Sequence, residues 1–396
     1  MSRKTYFLTL CLLLACALLA PAAQAQDSNA DCRNLDDPSF AGWTSHAQLT
    51  AALDRIERTS RGRVDVEVIG QSNRGRDLYA ARVGTGDRVM LVTSAIHGNE
   101  KTGTEALLGW LQHVGSSNTA EVRTLLRGIT FVAVPMINPD GGELNRRQND
   151  FPWTEVVQAF PQLAGARPAW YYSGRAGGFD VNRDFNPDLS YEPRAEDLPG
   201  ADELPGFYLT PEARALRALY IGLRDEFGLV DAYVDLHHMG PCEQIEGDGD
   251  YVTVTLDYPP LGPEDSDKYA AWPLLDQDKS RRFAYAAYLG MRDHAGGGNA
   301  EQSPFLGGIA RYLHPEWRDL PGQARSSFAL NGTGTVLFEV RGQSDDWGQK
   351  KLGQLTAIVR AGVNGLATRL ADGSVDLLDG DRFFDLPDYG WDEVGD

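Results

Sequence analysis

The sequence predicts an α/β fold: a single domain with a mixed, mostly parallel twisted sheet flanked by helices. A short continuous apolar run at residues 89–95 is typical of a strand that is covered on both faces, and buried strands are also expected at residues 129–136 and 229–236. Segments with the helical spacing of apolar residues alternate with these strands along the chain. Alternating strands and helices favour crossover connections, which place the strands in parallel.

The remaining predicted elements fill the chain from about residue 45 to about residue 370. Further strands are expected at residues 64–69 and 78–83, which form a hairpin with Gly75 in its turn, and at residues 335–340. Helices are expected at residues 49–58, 104–113, 210–227, 281–292 and 351–370. The helix after Thr210 has the clearest start, because Thr210 can cap it, Pro211 fits its first turn and Glu212 lies near its positive end.

Two stretches rich in Pro, Gly, Asp and Glu, at residues 186–209 and 240–278, are predicted to be long surface loops. Loops of this length in a compact domain are usually functional or mobile. The expected organisation is therefore a signal peptide at residues 1–25, an N-terminal segment at 26–44, one folded domain at 45–371 and an acidic C-terminal tail at 372–396.

Composition excludes some partners. The 396 residues carry a net charge of −19, and 42% of them are hydrophobic, as is ordinary for a soluble protein with a sizeable core. Nucleic-acid binding depends on neutralising phosphates with basic side chains, so this charge argues against a nucleic-acid partner. It also disfavours docking on anionic lipid. The sequence does not predict the oligomeric state.

The N-terminus has the pattern of an export signal. Two basic residues precede an uncharged apolar run at residues 6–20, and the small residues Ala23 and Ala25 then form a cleavage site before Gln26. The alternatives are an uncleaved anchor, for which the run is shorter than the roughly 20 residues needed, and a lipoprotein anchored through Cys16. We expect export to the periplasm or the exterior, with cleavage near Ala25/Gln26 and no stable membrane insertion afterwards.

Removal of the signal would leave two cysteines, Cys32 and Cys242. An even number in an oxidising compartment makes a disulfide between them plausible. Two unrelated buried thiols are the alternative, because geometry decides whether a bridge can form.

The strongest chemical signal is His97-Gly98-Asn99-Glu100, which directly follows the strand at residues 89–95. Ligands of open α/β sheets bind at the carboxyl ends of strands. His237 ends another buried strand and therefore reaches the same edge, whereas alternation along the strand points His238 away. Zinc favours nitrogen and oxygen ligands, and a catalytic site needs three of them plus an open position. Alone, the His97–Glu100 pair could equally be a surface histidine with a nearby acid.

Other motifs fall at predicted strand ends or loops. They are Asn138-Pro139-Asp140-Gly141, Arg147-Gln148-Asn149, Asp180-Val181-Asn182-Arg183 and Glu339-Val340-Arg341-Gly342. Glu339 lies within an otherwise apolar strand. Burying a lone carboxylate is costly unless the carboxylate is paired or works near a cation.

The order of these motifs closely resembles that of the zinc carboxypeptidase family (M14-type), whose founders are the pancreatic carboxypeptidases. The resemblance spans roughly residues 45–370, and the segment at residues 72–78 resembles the family's early G-R-x-L stretch. It implies the zinc carboxypeptidase fold, one Zn²⁺ per chain and hydrolysis of C-terminal residues from peptide substrates.

The resemblance also implies a role for each matching residue. It implies zinc ligands at His97, Glu100 and His237, a general base at Glu339, an oxyanion-stabilising arginine at Arg147 with the adjacent Arg146 as the alternative, a substrate carboxylate site at Asn182 and Arg183, and an orienting acid for the first histidine at Asp180. Asn99 departs from the arginine of the best-known members. Tyr312 is our choice for the family's mobile tyrosine, and the preferred side chain is not predicted.

Three other functions share part of this pattern. Deacylases of the aspartoacylase type share His-Gly-Asn-Glu and the later His237 motif, although the Asn-Pro-Asp-Gly motif, the long interval from Glu100 to His237 and the export signal argue against them. A peptidase that trims peptidoglycan stem peptides fits export equally well. A catalytically dead zinc-binding protein is the third, but such proteins typically lose the base or the carboxylate anchor, and Glu339 and Arg183 are present.

Overall fold

The computed structural model describes residues 43–240, 243–246, 251–259, 262, 266–295, 308–312, 321–342 and 348–390. The predicted signal peptide, Cys32 and Cys242 lie outside these ranges, so export and the disulfide stay predictions. Among the described residues, no helix has the length and apolar character needed to cross a membrane.

A central sheet of eight strands organises the molecule. The strands of the described chain are β1 Val64–Gln71, β2 Asp77–Gly84, β3 Arg88–Ser94, β4 Ile129–Val134, β5 Tyr172–Ser173, β6 Gly178–Phe179, β7 Ala232–Met239, β8 Gln244–Ile245, β9 Val252–Asp257, β10 Gly308–Arg311, β11 Gly334–Arg341 and β12 Tyr389–Gly390. The order in the central sheet is β1-β2-β4-β3-β7-β11-β9-β10, and the pairs β5–β6 and β8–β12 form small separate ribbons. Strands β4, β3, β7 and β11 run parallel, while β2 and β9 flank them antiparallel. The predicted mixed, mostly parallel sheet is confirmed.

Helices cover both faces of the sheet. They are α1 His46–Ser60, α2 Thr102–Ser116, α3 Ala120–Gly128, α4 Pro139–Glu143, α5 Trp153–Ala159, α6 Pro211–Phe227, α7 Gln277–His294, α8 Ala324–Leu330 and α9 Gly348–Asp372. Short 3-10 helices lie at Pro161–Leu163, Val181–Arg183, Ala195–Asp197, Asp267–Tyr269, Ser374–Leu377 and Gly380–Asp385. Helices α1, α2, α3, α7 and α9 pack on one face in a large apolar core, and α6 and α8 pack on the other.

Most predicted elements are found within a few residues of their expected ends. Thr210 caps α6 as expected, with its side chain accepting a hydrogen bond from the Ala213 amide. The prediction of a continuous loop at residues 240–278 was wrong, because β8 and β9 lie within this segment. Strand β9 alternates valine and leucine with Thr253 and Thr255, and both threonines are buried inside the sheet. The acidic residues on either side hid this short alternation. Strand β10 and helices α3 and α8 were also missed.

The segment predicted as an acidic tail packs against the domain over its described part. Phe383 is buried in the large core, whereas Phe384 is 44% exposed. Strand β12 then pairs with β8 and brings Tyr389 beside the end of the sheet.

Glu212, in the first turn of α6, is a fully buried carboxyl group. Its Oε2 accepts a hydrogen bond from Asn149 Nδ2 at 2.9 Å, while Oε1 has no hydrogen-bond partner among the described residues. Burial raises the pKa of Glu212 to about 8, and the negative charges of Asp140 and Asp184 act in the same direction. The folded state therefore holds a proton on Glu212 that the unfolded chain releases near its ordinary pKa of 4.5.

Because the folded pKa is raised, the stabilisation associated with Glu212 is fully present below pH 4.5 and is lost as the pH rises to about 8. The variant Glu212→Gln should remove this dependence and gain roughly 2–4 kcal/mol of unfolding free energy relative to wild type between pH 5 and pH 8.5, since one pKa unit corresponds to about 1.36 kcal/mol. Urea unfolding at the two pH values measures it, with the exposed Glu67→Gln as the control. An unchanged pH dependence in Glu212→Gln would contradict this interpretation.

Candidate metal and active site

The candidate site forms where β3, β7 and β11 end at the same edge of the sheet. His97 and Glu100 follow β3 after a sharp turn in which Ala95 adopts a left-handed φ of 53°. His237 lies in β7, directly opposite Glu339 of the parallel strand β11. Paired residues of neighbouring strands point to the same face. The fold therefore brings together two histidines and two carboxylates that are far apart in the sequence.

The Asn138-Pro139-Asp140-Gly141 motif holds the His97 loop in place. Asn138 Nδ2 donates to the carbonyl oxygens of Ile96 at 3.2 Å and Arg147 at 3.3 Å. The backbone at Gly98 lies so close to Gly141 that a Cβ on Gly98 would come within 2.0 Å of the Gly141 carbonyl carbon. Glycine at position 98 is therefore required by this close approach.

The early motif at residues 72–78 holds the Asn138-Pro139-Asp140-Gly141 motif in place through hydrogen bonds to Asp140. The buried carboxylate of Asp140 accepts hydrogen bonds from Ser72 Oγ at 2.9 Å, from the Arg74 amide at 3.0 Å and from Arg76 Nη1 at 2.6 Å. These bonds compensate the cost of burying the carboxylate. The two motifs thus fix the position of the metal-ligand loop rather than contact a ligand.

Three buried ligand atoms converge in the site. His97 Nδ1 lies 2.8 Å from Glu100 Oε1, His237 Nδ1 lies 2.9 Å from Glu100 Oε2, and the two Nδ1 atoms are 3.1 Å apart. Within the described residues, these three side chains form the group of histidine, cysteine and acidic residues that could hold a metal ion. Tetrahedral zinc with ligands at about 2.0–2.1 Å would separate them by about 3.4 Å. The observed spacing is only a few tenths of an ångström shorter.

The outer nitrogens of the two rings support a metal at the centre. His97 Nε2 lies 3.1 Å from Asp180 Oδ1, and His237 Nε2 lies 2.8 Å from Asp235 Oδ2. Each carboxylate fixes the ring hydrogen on Nε2, so both Nδ1 lone pairs point at each other and at the Glu100 carboxylate. Three converging lone pairs repel one another unless a cation lies between them. The residues present therefore fit a zinc ion.

The charges around the cluster also favour a cation at its centre. Burial opposes charge on His237, yet Asp235 and Glu100 raise the pKa of that ring to about 10. Burial likewise opposes ionisation of Glu100, but His97 and His237 hold the pKa of the carboxyl well below its usual range. The cluster thus favours positive charge at its centre. Burial lowers the pKa of the neighbouring His238 to about 4.

His238 is directed away from the cluster, as alternation along β7 predicted. Its Nε2 accepts a hydrogen bond from the Thr102 amide at 3.0 Å, and its ring packs beside Trp43 with the ring centroids 6.0 Å apart. The two adjacent histidines of β7 therefore have different environments.

The two candidates for the oxyanion-stabilising arginine, Arg146 and Arg147, have different surroundings. Arg147 bonds Asp180 Oδ2 through Nε at 2.9 Å and Nη2 at 2.8 Å, and its Nη1 lies 3.1 Å from His97 Nδ1. Arg146 instead donates to the carbonyl oxygens of Gln148, Asn149 and Ala176 and to Asp150. Arg147 is the one beside the metal-ligand cluster.

Asn182 and Arg183 both reach the site, in different ways. Asn182 Nδ2 lies 3.2 Å from Asp235 Oδ2, and its Oδ1 accepts a hydrogen bond from the Ala324 amide at 3.1 Å. Arg183 donates from Nη1 to the Asn182 carbonyl at 2.8 Å, and Nη1 lies 3.9 Å from Asp180 Oδ2. The side-chain amide of Asn182 thus already bonds the protein, while Arg183 lines the cavity described next.

A cavity of about 380 Å³ opens over these residues. Its lining contains His97, Glu100, Arg147, Asn182, Arg183, His237, Glu243, Tyr312, Gln323, Arg325, Leu337, Glu339 and Tyr389. The predicted Tyr312 is present, with its ring stacked on Tyr389 at a centroid distance of 5.5 Å. Sequence reasoning did not single out Arg325 or Tyr389 as site residues.

Asp235 is the functional residue whose signal was available but missed. It is fully buried and accepts hydrogen bonds from Thr93 Oγ1 at 3.0 Å and from the His237 ring. Residues two apart on a strand share a face, so the pair Asp235 and His237 was visible in the sequence.

Asp235→Asn should weaken zinc affinity about 10–100-fold, as loss of an orienting carboxylate behind a histidine ligand typically does. Competition with a chromophoric chelator measures the affinity. Asp231→Asn is the matched control, because Asp231 lies beyond the far end of β7, where it accepts from the Val89 amide at 2.8 Å. Equal zinc affinity in Asp235→Asn and wild type would contradict the proposed role.

Comparison with known proteins supports the predicted resemblance. Residues 49–242, just under half of the chain, match the family model described as zinc carboxypeptidase. Over this range the family is the one that the order of the sequence motifs predicted. The matched range includes the three converging ligands and Asp180, whereas Glu339 lies beyond its end.

The chain is also similar to carboxypeptidase E of Caenorhabditis elegans, to which it is 30% identical over 210 residues. The match covers 48% of the chain and 40% of the relative, so the chain spans less than half the length of that protein. Thrombin activatable fibrinolysis inhibitor has a similar structure, with a TM-score of 0.54 and 16% identity over 84% of this chain and 78% of that one. Carboxypeptidase A from Helicoverpa armigera is also similar in structure, with a TM-score of 0.53 and 15% sequence identity. The match covers 85% of this chain and 75% of that one. These two structures show the fold alone.

Proposed function

We propose that the protein is an exported zinc carboxypeptidase that removes C-terminal residues from peptides. The observation that carries this proposal is the position of Glu339, which lies opposite His237 on the adjacent parallel strand and lines the same cavity as the metal-ligand cluster. A carboxylate beside, but not within, a three-ligand metal site is the arrangement that metal-assisted hydrolysis with a general base needs. Export is proposed from the pattern of residues 1–25 alone.

His97, Glu100 and His237 would hold the zinc ion in this proposal. Zinc supplies Lewis-acid chemistry, which polarises a peptide carbonyl and makes water acidic enough to lose a proton near neutral pH. Asp180 and Asp235 keep the two imidazole rings in the tautomer that presents Nδ1 to the ion.

Glu339 would move the proton. Its carboxylate has no hydrogen bond or ion pair with any described residue, so it is free to take a proton from the attacking water and to return it to the leaving amine. Such proton transfer typically contributes about 10²–10⁴-fold to the rate.

The two arginines would bind the substrate's oxygen atoms. Arg147, oriented by two bonds to Asp180, is placed to stabilise the negative charge that develops on the scissile carbonyl oxygen. Apart from Nη1, the Arg183 guanidinium has no hydrogen-bond partner in the described ranges, and its fork matches the geometry of a terminal carboxylate. Asn182, whose amide bonds Asp235 and Ala324, would position Arg183 and the second histidine.

A substrate panel tests this function. Zinc-loaded protein should hydrolyse N-blocked dipeptides faster than N-acyl amino acids or muropeptides, and a zinc chelator should abolish the activity until zinc is restored. Faster turnover of N-acyl amino acids would favour a deacylase, and faster turnover of muropeptides would favour cell-wall trimming. Activity that resists the chelator would contradict a zinc mechanism.

A further inference from the structure

A third buried guanidinium, that of Arg325, lines the same cavity and has no part in the hydrolytic chemistry above. Arg325 lies in α8, which covers the site face of β7 and β11, and only 3% of the residue is exposed. Like Arg183, it lines the cavity. A charged side chain that lines a cavity is a candidate for ligand recognition.

The Arg325 guanidinium is only partly satisfied by the protein. Its Nε donates to Gln323 Oε1, and its Nη1 lies 3.3 Å from Asp257 Oδ2. In the part of the chain that the structure describes, Nη2 has no hydrogen-bond partner. A guanidinium has five N–H donors, and leaving them unpaired after burial is costly. An acceptor in the cavity would relieve that cost.

Arg325 lines the same cavity as Arg183 and Glu339. Burial lowers the pKa of Arg183, and the like charges of Arg147 and Arg325 act in the same direction. Burial raises the pKa of Glu339, and the charges of His237 and Arg325 oppose that shift. The guanidinium groups of Arg183 and Arg325 therefore lie in one cavity.

A ligand with two carboxylates would pair with both of these guanidinium groups. Resting on the carboxypeptidase function proposed above, we propose that Arg325 binds the side-chain carboxylate of a C-terminal glutamate or aspartate while Arg183 binds the terminal carboxylate. The planar guanidinium suits such two-point recognition better than lysine would. Leu337, two residues before Glu339 on β11, would contact the aliphatic part of that side chain.

One feature of the cavity favours the opposite charge. Glu243 also lines it and could attract a basic side chain. However, its carboxylate bonds the Tyr389 hydroxyl. Arg325 retains a nitrogen, Nη2, with no hydrogen-bond partner among the described residues, so the acidic side chain is the better match.

Four N-blocked dipeptides that share their first residue and end in glutamate, glutamine, leucine or lysine test this proposal. For wild type we expect kcat/KM to be about 10–100-fold higher for the glutamate substrate than for its isosteric glutamine partner, the range for one charged hydrogen-bonding contact. Arg325→Met should lose this preference mainly through KM while still cleaving the leucine substrate.

Because Arg325→Met removes a partner of the buried Asp257, the double variant Arg325→Met/Asp257→Asn is measured beside it. Binding of free L-glutamate and L-glutamine by calorimetry gives a readout that does not depend on turnover. Glutamate should bind wild type at least several-fold more tightly than glutamine, and the double variant should bind them equally.

The outcomes separate this inference from the function on which it rests. Equal kcat/KM for glutamate and glutamine, with peptides still hydrolysed, would overturn the role of Arg325 and leave the carboxypeptidase function intact. A preference for lysine would also overturn it and point to Glu243. No hydrolysis of any dipeptide by zinc-loaded protein would overturn both proposals.

Discussion

Glu339→Gln is expected to lower kcat/KM on a blocked dipeptide by about 10²–10⁴-fold, the usual contribution of a general acid–base. Glutamine keeps the shape of the side chain but cannot accept the water proton. Because Glu339 contributes no atom to the three-ligand cluster, the variant should still bind one zinc per chain. The loss should therefore appear in kcat, with the metal content unchanged.

Two controls make this result interpretable. Metal analysis and thermal unfolding of Glu339→Gln show whether the site is loaded and the fold intact. Removing a buried acidic group whose pKa burial raises should not destabilise the protein near neutral pH. A fully loaded, folded variant with wild-type turnover would show that another group takes the proton.

His237→Ala is expected to remove the metal and, with it, all measurable hydrolysis. The variant deletes one of three ligands and leaves the carboxylates of Asp235 and Glu100 facing an empty position. Loss of an orienting residue alone costs about 10–100-fold in metal affinity, so loss of a ligand should cost more than 100-fold. The zinc-to-protein ratio after dialysis measures this.

The adjacent His238→Ala provides a matched control from the same strand. Its ring packs beside Trp43 and accepts from the Thr102 amide, away from the cluster. We expect this variant to lose some stability but to retain one zinc. Retention of zinc by His237→Ala, or its loss in His238→Ala alone, would contradict the assignment of ligands.

Local patterns were sufficient to predict the sheet and the ligand cluster. Apolar residues marked the buried strands β3, β4 and β7, and polar motifs at strand ends placed His97, Glu100 and His237 at one edge. Strand ends in an α/β sheet meet at that edge whatever lies between them, so no long-range information was needed.

Long-range packing accounts for what the sequence did not reveal. Strand β9 is short and lies between acidic stretches, so its alternation was too brief to stand out. Arg325 and Tyr389 reach the cavity because α8 and β12 pack against distant strands, which no local pattern encodes. The amide of Asn182 turned out to bond Asp235, a contact that depends on a loop meeting β7.

The most direct test of the proposed function uses one peptide of mixed sequence and its C-terminally amidated twin. Zinc-loaded protein is incubated with each peptide, and mass spectrometry follows the products. We expect the free acid to shorten one residue at a time from its C-terminus, the amidated peptide to remain intact, and a chelator to stop the reaction. Internal cleavage of both peptides, or no cleavage by fully loaded protein, would contradict a zinc carboxypeptidase.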